Sequence, residues 1–494
     1  MTATRRHFLG GIAAAGGVLA LSRASWAQER PLLRFGVVSD VHIGGNPRSP
    51  QHLEAALRLI RSKRADAVLC TGDIAHSGLI GELEKFAEVW HSVFPGGRGA
   101  DGGKVELMIA TGNHDVDAWA GRWNRFSEEQ MLTRRFCYRD NPAKVWGRLF
   151  GQKWELVWRK TVKGCTFIGS QWSSLRPPVE ETVPRIARSL DASKPFFYCQ
   201  HAHPADTCYG PGVRKQGLTD GGEATRALSG FPNAVAFSGH SHCPLTDERS
   251  VWQGTFTSIG AGCTCAAGLD FGYDNATAPW HPSNKAKTMR RLEPDASVGG
   301  SFEIVDVYAD RLVVHRWSPQ FEEPLGPAWV VPLPAVPDGP FDFKRRARAG
   351  QGPLFAPGAR ADAAFCRDGH PEAGVSFAGK PVVAVTFPHA EASGGRRVYD
   401  YVVAAADGAG PLAEMRILAP GFALPASRAD LPGVCLFRPD ALPSGTPVSF
   451  SVVPRDCFGV AGKPIFSDPI EIQSLPRTTG QERPGGADSA ICAR

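Results

Sequence analysis

The chain has 494 residues, 43% hydrophobic and 21% charged, a balance that excludes a disordered or membrane-embedded polypeptide and a length that exceeds one ordinary core. Its formal charge of +6 includes Arg5, Arg6 and Arg23, which belong to an acid-free N-terminal segment. What remains is close to neutral and has no long basic run, so binding to a nucleic-acid polymer is not expected.

In chain order, the first expectation is a targeting segment over residues 1–27. Thr4-Arg5-Arg6-His7-Phe8-Leu9 precedes an apolar run from Gly10 to Leu21, and Ser25-Trp26-Ala27 offers small residues for a signal peptidase. The pattern resembles a twin-arginine export signal, which implies cleavage after Ala27 and a periplasmic or secreted product. The run is too short and too rich in Gly and Ala to span a bilayer well, and no transmembrane segment is expected after it. Twelve cysteines fit an oxidising compartment, but their spacing assigns no disulfide.

Residues 33–39 form a short apolar strand that ends at Asp40. Leu53, Ala56, Leu57 and Ile60 recur at helical spacing. Ala67 to Cys70 is a second strand, ending at Gly72-Asp73, and Leu83, Phe86, Ala87, Trp90 and Phe94 mark a second helix. The loop from Pro95 to Gly103 holds five glycines and is expected to be flexible. Val105 to Ala110 is a third strand, ending at Gly112-Asn113-His114-Asp115. The pattern continues where Phe196 to Cys199 runs into His201, and where Val235 to Phe237 runs into Gly239-His240-Ser241-His242. Each polar block therefore sits just past the carboxyl end of a strand, where open α/β sheets place their ligands. Strands near 251–258, 302–308 and 311–317 are expected to complete a second sheet.

Two stretches break the alternation. Residues 119–160 are rich in Trp, Phe and Arg and read as a helical insertion, packing on the core or contacting substrate. Residues 263–300, rich in Gly, Asn and Pro, read as a rim loop. A linker over 331–375, punctuated by Pro332, Pro334, Pro337 and Pro340, is followed by short β-rich runs over 376–476. Their rhythm resembles a fibronectin-type-III-like sandwich. Residues 477–494 are Gly, Pro and charge and read as a disordered tail.

The blocks Asp40-x-His42, Gly72-Asp73, Gly112-Asn113-His114-Asp115, His201 and Gly239-His240-Ser241-His242 together supply carboxylates, an amide and imidazoles enough to hold two metal ions side by side. In that order they resemble the calcineurin-like metallophosphoesterase superfamily over roughly residues 33–320, within a domain expected at 28–330. The resemblance implies an α/β fold: a two-sheet β-sandwich flanked by helices, here followed by the smaller all-β domain. It implies that Asp40, His42 and His242 bind one metal, that Asn113, His201 and His240 bind the other, and that Asp73 bridges both. It further implies that His114 is the general acid, oriented by Asp115, and that activated hydroxide hydrolyses a small phosphate mono- or diester. Fe, Mn and Zn all suit such mixed nitrogen and oxygen donors. His201 is preferred over His203 because it lies directly at the strand end. In the purple members of the superfamily the residue three past the bridging Asp is a Tyr; here it is His76, read as a supporting donor or a loop residue. The competing expectation is a non-catalytic exported scaffold that keeps the fold and binds a partner through its C-terminal domain.

Overall fold

The computed structural model describes residues 29–115, 142–172, 177–209, 219–265, 299–348, 350–372, 379–391, 393 and 396–473. The export segment, most of the 119–160 and 263–300 insertions and the C-terminal tail lie outside these residues.

Three parallel strands start the fold: β1 (Leu33–Val38), β2 (Ala67–Cys70) and β3 (Glu106–Ile109). Helices α1 (Ser49–Ser62) and α2 (Ile80–Val93) make the crossovers between them. Leu53, Ala56, Leu57 and Ile60 form the buried stripe of α1, and a proline in its first turn needs no N–H partner there. The Glu82 carboxylate closes the start of α2 by accepting from the backbone N–H groups of Ser77 and Leu79 at 2.9 and 3.1 Å. The glycine-rich stretch expected to be flexible closes on itself instead. Gly96 and Gly97 turn the chain at φ 61° and 68°, and Arg98 then bridges Lys104.

A second sheet follows, from β4 (Val157–Val162), β5 (Cys165–Ser170), β6 (Phe196–Cys199), β7 (Ala234–Ser238), β8 (Val251–Gln253) and β9 (Thr257–Gly260), in the order β4-β5-β6-β7-β9-β8. The end of the expected helical insertion thus divides into a helix, α3 (Pro142–Phe150), and an edge strand, β4. Helices α4 (Val179–Ala187) and α5 (Glu223–Leu228) cover its outer face.

The expected second sheet needs one correction. Strands β10 (Phe302–Val307), β11 (Arg311–Trp317) and β12 (Trp329–Pro332) do not join it. They return to the first sheet, antiparallel to β1, giving the order β12-β11-β10-β1-β2-β3. Between the sheets, Phe35 meets Phe167, Phe197 and Phe237 edge-on, with centroids 5.2, 5.1 and 5.6 Å away. Each such buried ring contributes about 1.5–3 kcal/mol.

After α6 (Phe343–Arg348) the chain is β-rich. One sheet has the order β13 (Asp362–Cys366), β14 (Val382–Phe387), β17 (Gly433–Phe437). The other has β16 (Gly410–Leu418), β15 (Val398–Asp407), β18 (Pro447–Asp456), β19 (Ile465–Phe466), with β20 (Ile470–Glu471) also on β18. Burial alternates along β18, as a half-buried strand requires, and Val383, Val385, Tyr401, Val403, Phe450 and Val452 share one core.

This β-rich region docks on the first through buried charge. Glu248 accepts from Arg316, Arg346 and the Trp329 indole at 3.0, 2.7 and 2.9 Å. The Arg346 guanidinium also lies over Phe458 at 4.7 Å, and Arg249, paired with Asp247, lies over Tyr399 at 4.7 Å.

Candidate metal centre

The polar blocks converge at the carboxyl ends of both sheets. Asp40 and His42 follow β1, Asp73 follows β2, and Asn113 and His114 follow β3; His201 follows β6, and His240 and His242 follow β7. Asp40, His42, Asp73, His240 and His242 all adopt left-handed backbone, at φ 49°, 47°, 51°, 69° and 54°. That conformation costs a non-glycine residue about 1–2 kcal/mol. Five such residues at one place mark a site whose geometry is imposed by what it must hold. The loops also approach closely. A Cβ on Gly72 would meet His201 Nδ1 at 2.5 Å, and one on Gly112 would meet an Asp73 carboxylate oxygen at 2.1 Å.

Three groups of donors have their donor atoms within 4.8 Å of one another among the described residues: His42, His76 and His114, and two that include carboxylates, namely Asp40, His42, Asp73 and His242, and Asp73, His201 and His240. Asp73 belongs to both. His42 Nε2 lies 3.0 Å from His242 Nε2, and His201 Nε2 lies 3.1 Å from His240 Nδ1. His242 Nε2 is 3.1 Å from Asp40 Oδ1, and His201 Nε2 is 3.0 Å from Asp73 Oδ2. Imidazole nitrogens this close either share a proton or aim their lone pairs at one centre. Asn113 Oδ1 is buried with no hydrogen-bond partner. An orphaned acceptor costs about 1–3 kcal/mol, which a cation at that oxygen would offset. The donor set therefore fits two divalent ions, and the Asn113 amide oxygen is a further donor on the loop that meets Asp73.

The electrostatics agree. Burial pushes the Asp40 and Asp73 carboxyls up, but the neighbouring imidazoles outweigh it and hold both below the usual carboxylate range: His242 and His201 act on Asp40, and His201, His42 and His114 on Asp73. Burial lowers His201, yet Asp73 and Asp40 overcome this and push it up to about 9. Its Nδ1 lies 2.9 Å from the Thr71 carbonyl, which leaves Nε2 facing the centre. His203, the other candidate of its block, is different. Burial and the neighbouring His240 push it down to about 3, and Ser238 and Ser241 hydroxyls occupy both ring nitrogens at 2.7 and 2.8 Å.

His114 donates its backbone N–H to Asp73 Oδ1 at 2.8 Å, and its Nε2 lies 3.9 Å from Asp73 Oδ2. Its Nδ1 is 2.6 Å from the His76 carbonyl oxygen. A carbonyl only accepts, so Nδ1 carries a proton and Nε2 is the exchangeable end. The His76 carbonyl is thus an orienting contact on this ring. The Asp115 carboxylate accepts from the backbone N–H groups of Ala75 and Gly112, at 2.9 and 2.8 Å, and ties two of the loops together. Burial, then the charge of Asp73, push its carboxyl up to about 7.

Supporting residues escaped the sequence reading. Ser39 donates to Asp40 Oδ2, Thr71 donates to Ser39 at 2.7 Å, and the buried Cys263 thiol donates to the Asp40 carbonyl at 3.2 Å. The Trp172 ring lies 5.6 Å from that of His240 and 6.0 Å from that of His201. Trp172 stands just beyond β5, so the strand-end rule that located the ligands also signals it. Cys263 carries no comparable signal.

This is the two-sheet sandwich of the metallophosphoesterase fold, with an Asp/His cluster able to hold two ions at the strand ends. Residues 33–244 match the family model described as calcineurin-like phosphoesterase. Among solved structures it is similar to a dimetal phosphatase from Danio rerio, at 10% identity and a TM-score of 0.34, over 61% of this chain and 99% of that one. It is similar also to the purple acid phosphatase PPD1 of yellow lupin (Lupinus luteus), at 13% identity and a TM-score of 0.39, over 62% of this chain and 54% of that one. A third is GAP50, the anchor in the inner membrane complex of Plasmodium, at 13% identity and a TM-score of 0.34, over 61% and 89%. No curated protein matches the chain.

Proposed function

We propose that the protein is a metal-dependent phosphoric ester hydrolase acting on a small phosphate ester. The observation that carries this reading is the pair of donor groups meeting at Asp73, together with the buried and orphaned Asn113 Oδ1. Asp40, His42 and His242 would hold one ion, Asn113, His201 and His240 the other, and Asp73 both. Two such ions supply Lewis-acid activation of water and charge stabilisation at phosphorus, and Fe, Mn and Zn suit these donors. The chain's own contribution is positional. The strained loops fix the donors before substrate arrives, and the His76 carbonyl sets the His114 ring so that Nε2 can give a proton to the departing oxygen. Asp115 supports this indirectly, by holding the loop that carries His114.

The test is hydrolysis of an aryl phosphomonoester and the matching diester, with ions supplied and then chelated, in the wild type and in Asp73→Ala. Turnover should need ions, and the substitution should lose both metal occupancy and rate. An Asp73→Ala protein with two equivalents of metal and full rate refutes the shared position. A metal-loaded wild type inert on both esters favours a scaffold role.

We further propose that residues 1–27 direct twin-arginine export, so that the enzyme works in the periplasm or outside the cell. Fractionation of cells expressing Arg5→Lys/Arg6→Lys should find the protein retained inside; unchanged export refutes the assignment.

A further inference from the structure

A cavity of about 250 Å³ adjoins the second group of donors and is bordered by His201 itself. Trp172, Val179 and Ala202 give it a carbon wall, and Asp220 and Glu223 add two acids. Asp220 is fixed in place: its carboxylate accepts from the backbone N–H groups of Ala205, Gly222 and Ala224 at 3.0, 2.8 and 2.9 Å, and from the Gln200 amide at 3.0 Å. Sites for whole small molecules run to about 300–1,000 Å³, so this one takes a single ring or a short chain. Its acids disfavour an anionic occupant.

Position decides what that occupant is. His114 clusters with His76 and with His42 of the first donor group, and none of the three borders the cavity. If His114 protonates the leaving oxygen, a group seated beside His201 is not the group that leaves. A monoester has no other substituent; a diester has one. We propose that this cavity binds the ester arm that a phosphodiester retains through hydrolysis, and that the arm is uncharged or cationic and about one ring in size. Water adds its oxygen to phosphorus, the bond to the leaving oxygen breaks, and that oxygen takes up a proton. The retained P–O–C link survives, so the products are an alcohol and a monoester. The inference rests on the phosphoesterase reading above.

The test uses esters that share 4-nitrophenolate as leaving group: benzyl, 4-carboxybenzyl and methyl 4-nitrophenyl phosphate, with 4-nitrophenyl phosphate as the armless reference. In the wild type, kcat/KM for the benzyl ester should exceed that for the methyl ester by about tenfold or more. The 4-carboxybenzyl ester should lose that advantage. Trp172→Ala, which removes the flat wall, and Val179→Phe, which fills the cavity from α4, should each bring the benzyl-to-methyl ratio close to one. Metal content is measured alongside, because Trp172 neighbours His240. A wild-type ratio near one, or a ratio unchanged in both variants, overturns the subsite. Hydrolysis of the monoester alone overturns it while sparing the phosphoesterase reading; inertness toward all four esters removes both.

Discussion

His114 separates binding from chemistry most sharply, because its ring is held by a carbonyl and its amide by Asp73 while neither donor group needs it as a ligand in the proposed arrangement. His114→Ala should therefore keep both ions. It should lower turnover by ~100- to 10,000-fold on esters with poor leaving groups, and by less on a nitrophenyl ester, whose departing oxygen needs little protonation. A modest loss independent of leaving group would show that the ring only braces its loop. At this scale the sequence was most legible. Short polar blocks at strand ends announce Asp40, His42, Asp73, Asn113, His201, His240 and His242; the structure gathers the Asp and His residues among them into donor groups and buries the Asn113 amide oxygen on the loop that meets Asp73. What it hid was conformation. Left-handed backbone at five of them is set by tertiary packing, and no local propensity of Asp or His reveals it. The separation of His201 from His203 likewise rests on the hydroxyls of Ser238 and Ser241, which are distant in sequence.

Among the elements, β10 shows both the reach and the limit of pattern reading. Its apolar run identifies a strand, but the same run would suit either sheet. Only the pairing of Val37 with Glu303 and its neighbours commits it to β1. Glu303 is also the least comfortable residue on that strand. It is fully buried, and neither carboxylate oxygen has a hydrogen-bond partner. Burial pushes its carboxyl well above the usual range, against the weaker pull of Arg316. A carboxyl raised in the folded state stabilises the fold below its unfolded pKa of about 4.3, and that contribution is lost as pH rises toward the folded value. Glu303→Gln should thus change Tm little near pH 4 and raise it increasingly toward pH 8. A Tm difference that does not vary with pH would show that the carboxyl is not buried in its neutral form.

For the molecule as a whole, the contact between the two regions combines a buried ion cluster with apolar packing of Trp252 on the C-terminal core. Glu248 serves Arg316 and Arg346 at once. Burial raises its carboxyl, but those two guanidiniums outweigh this and hold it below the usual range. Glu248→Ala would leave two buried guanidiniums without their shared counter-charge, which should cost about 3–5 kcal/mol in denaturant unfolding. Replacing Glu248, Arg316 and Arg346 together by apolar residues of similar volume should recover much of that loss; a single substitution costing under about 1 kcal/mol would show that the cluster is solvated in solution. None of this contact was visible in the sequence, since its acid, its arginines and Trp329 are scattered over three separate stretches.

The donors of each proposed ion come from both sheets, and this has a consequence for how the protein is made. Asp40, His42, Asp73 and Asn113 leave the ribosome early, whereas His201, His240 and His242 follow much later, and β10, the neighbour of β1, later still. The early half presents three oxygen-bearing side chains and one imidazole, too few to enclose two cations. If the proposed assignment holds, ions would enter a nearly finished domain rather than nucleate it. On that assignment loading would be a maturation step, and metal content would be set by whichever compartment holds the chain once β10 has paired with β1.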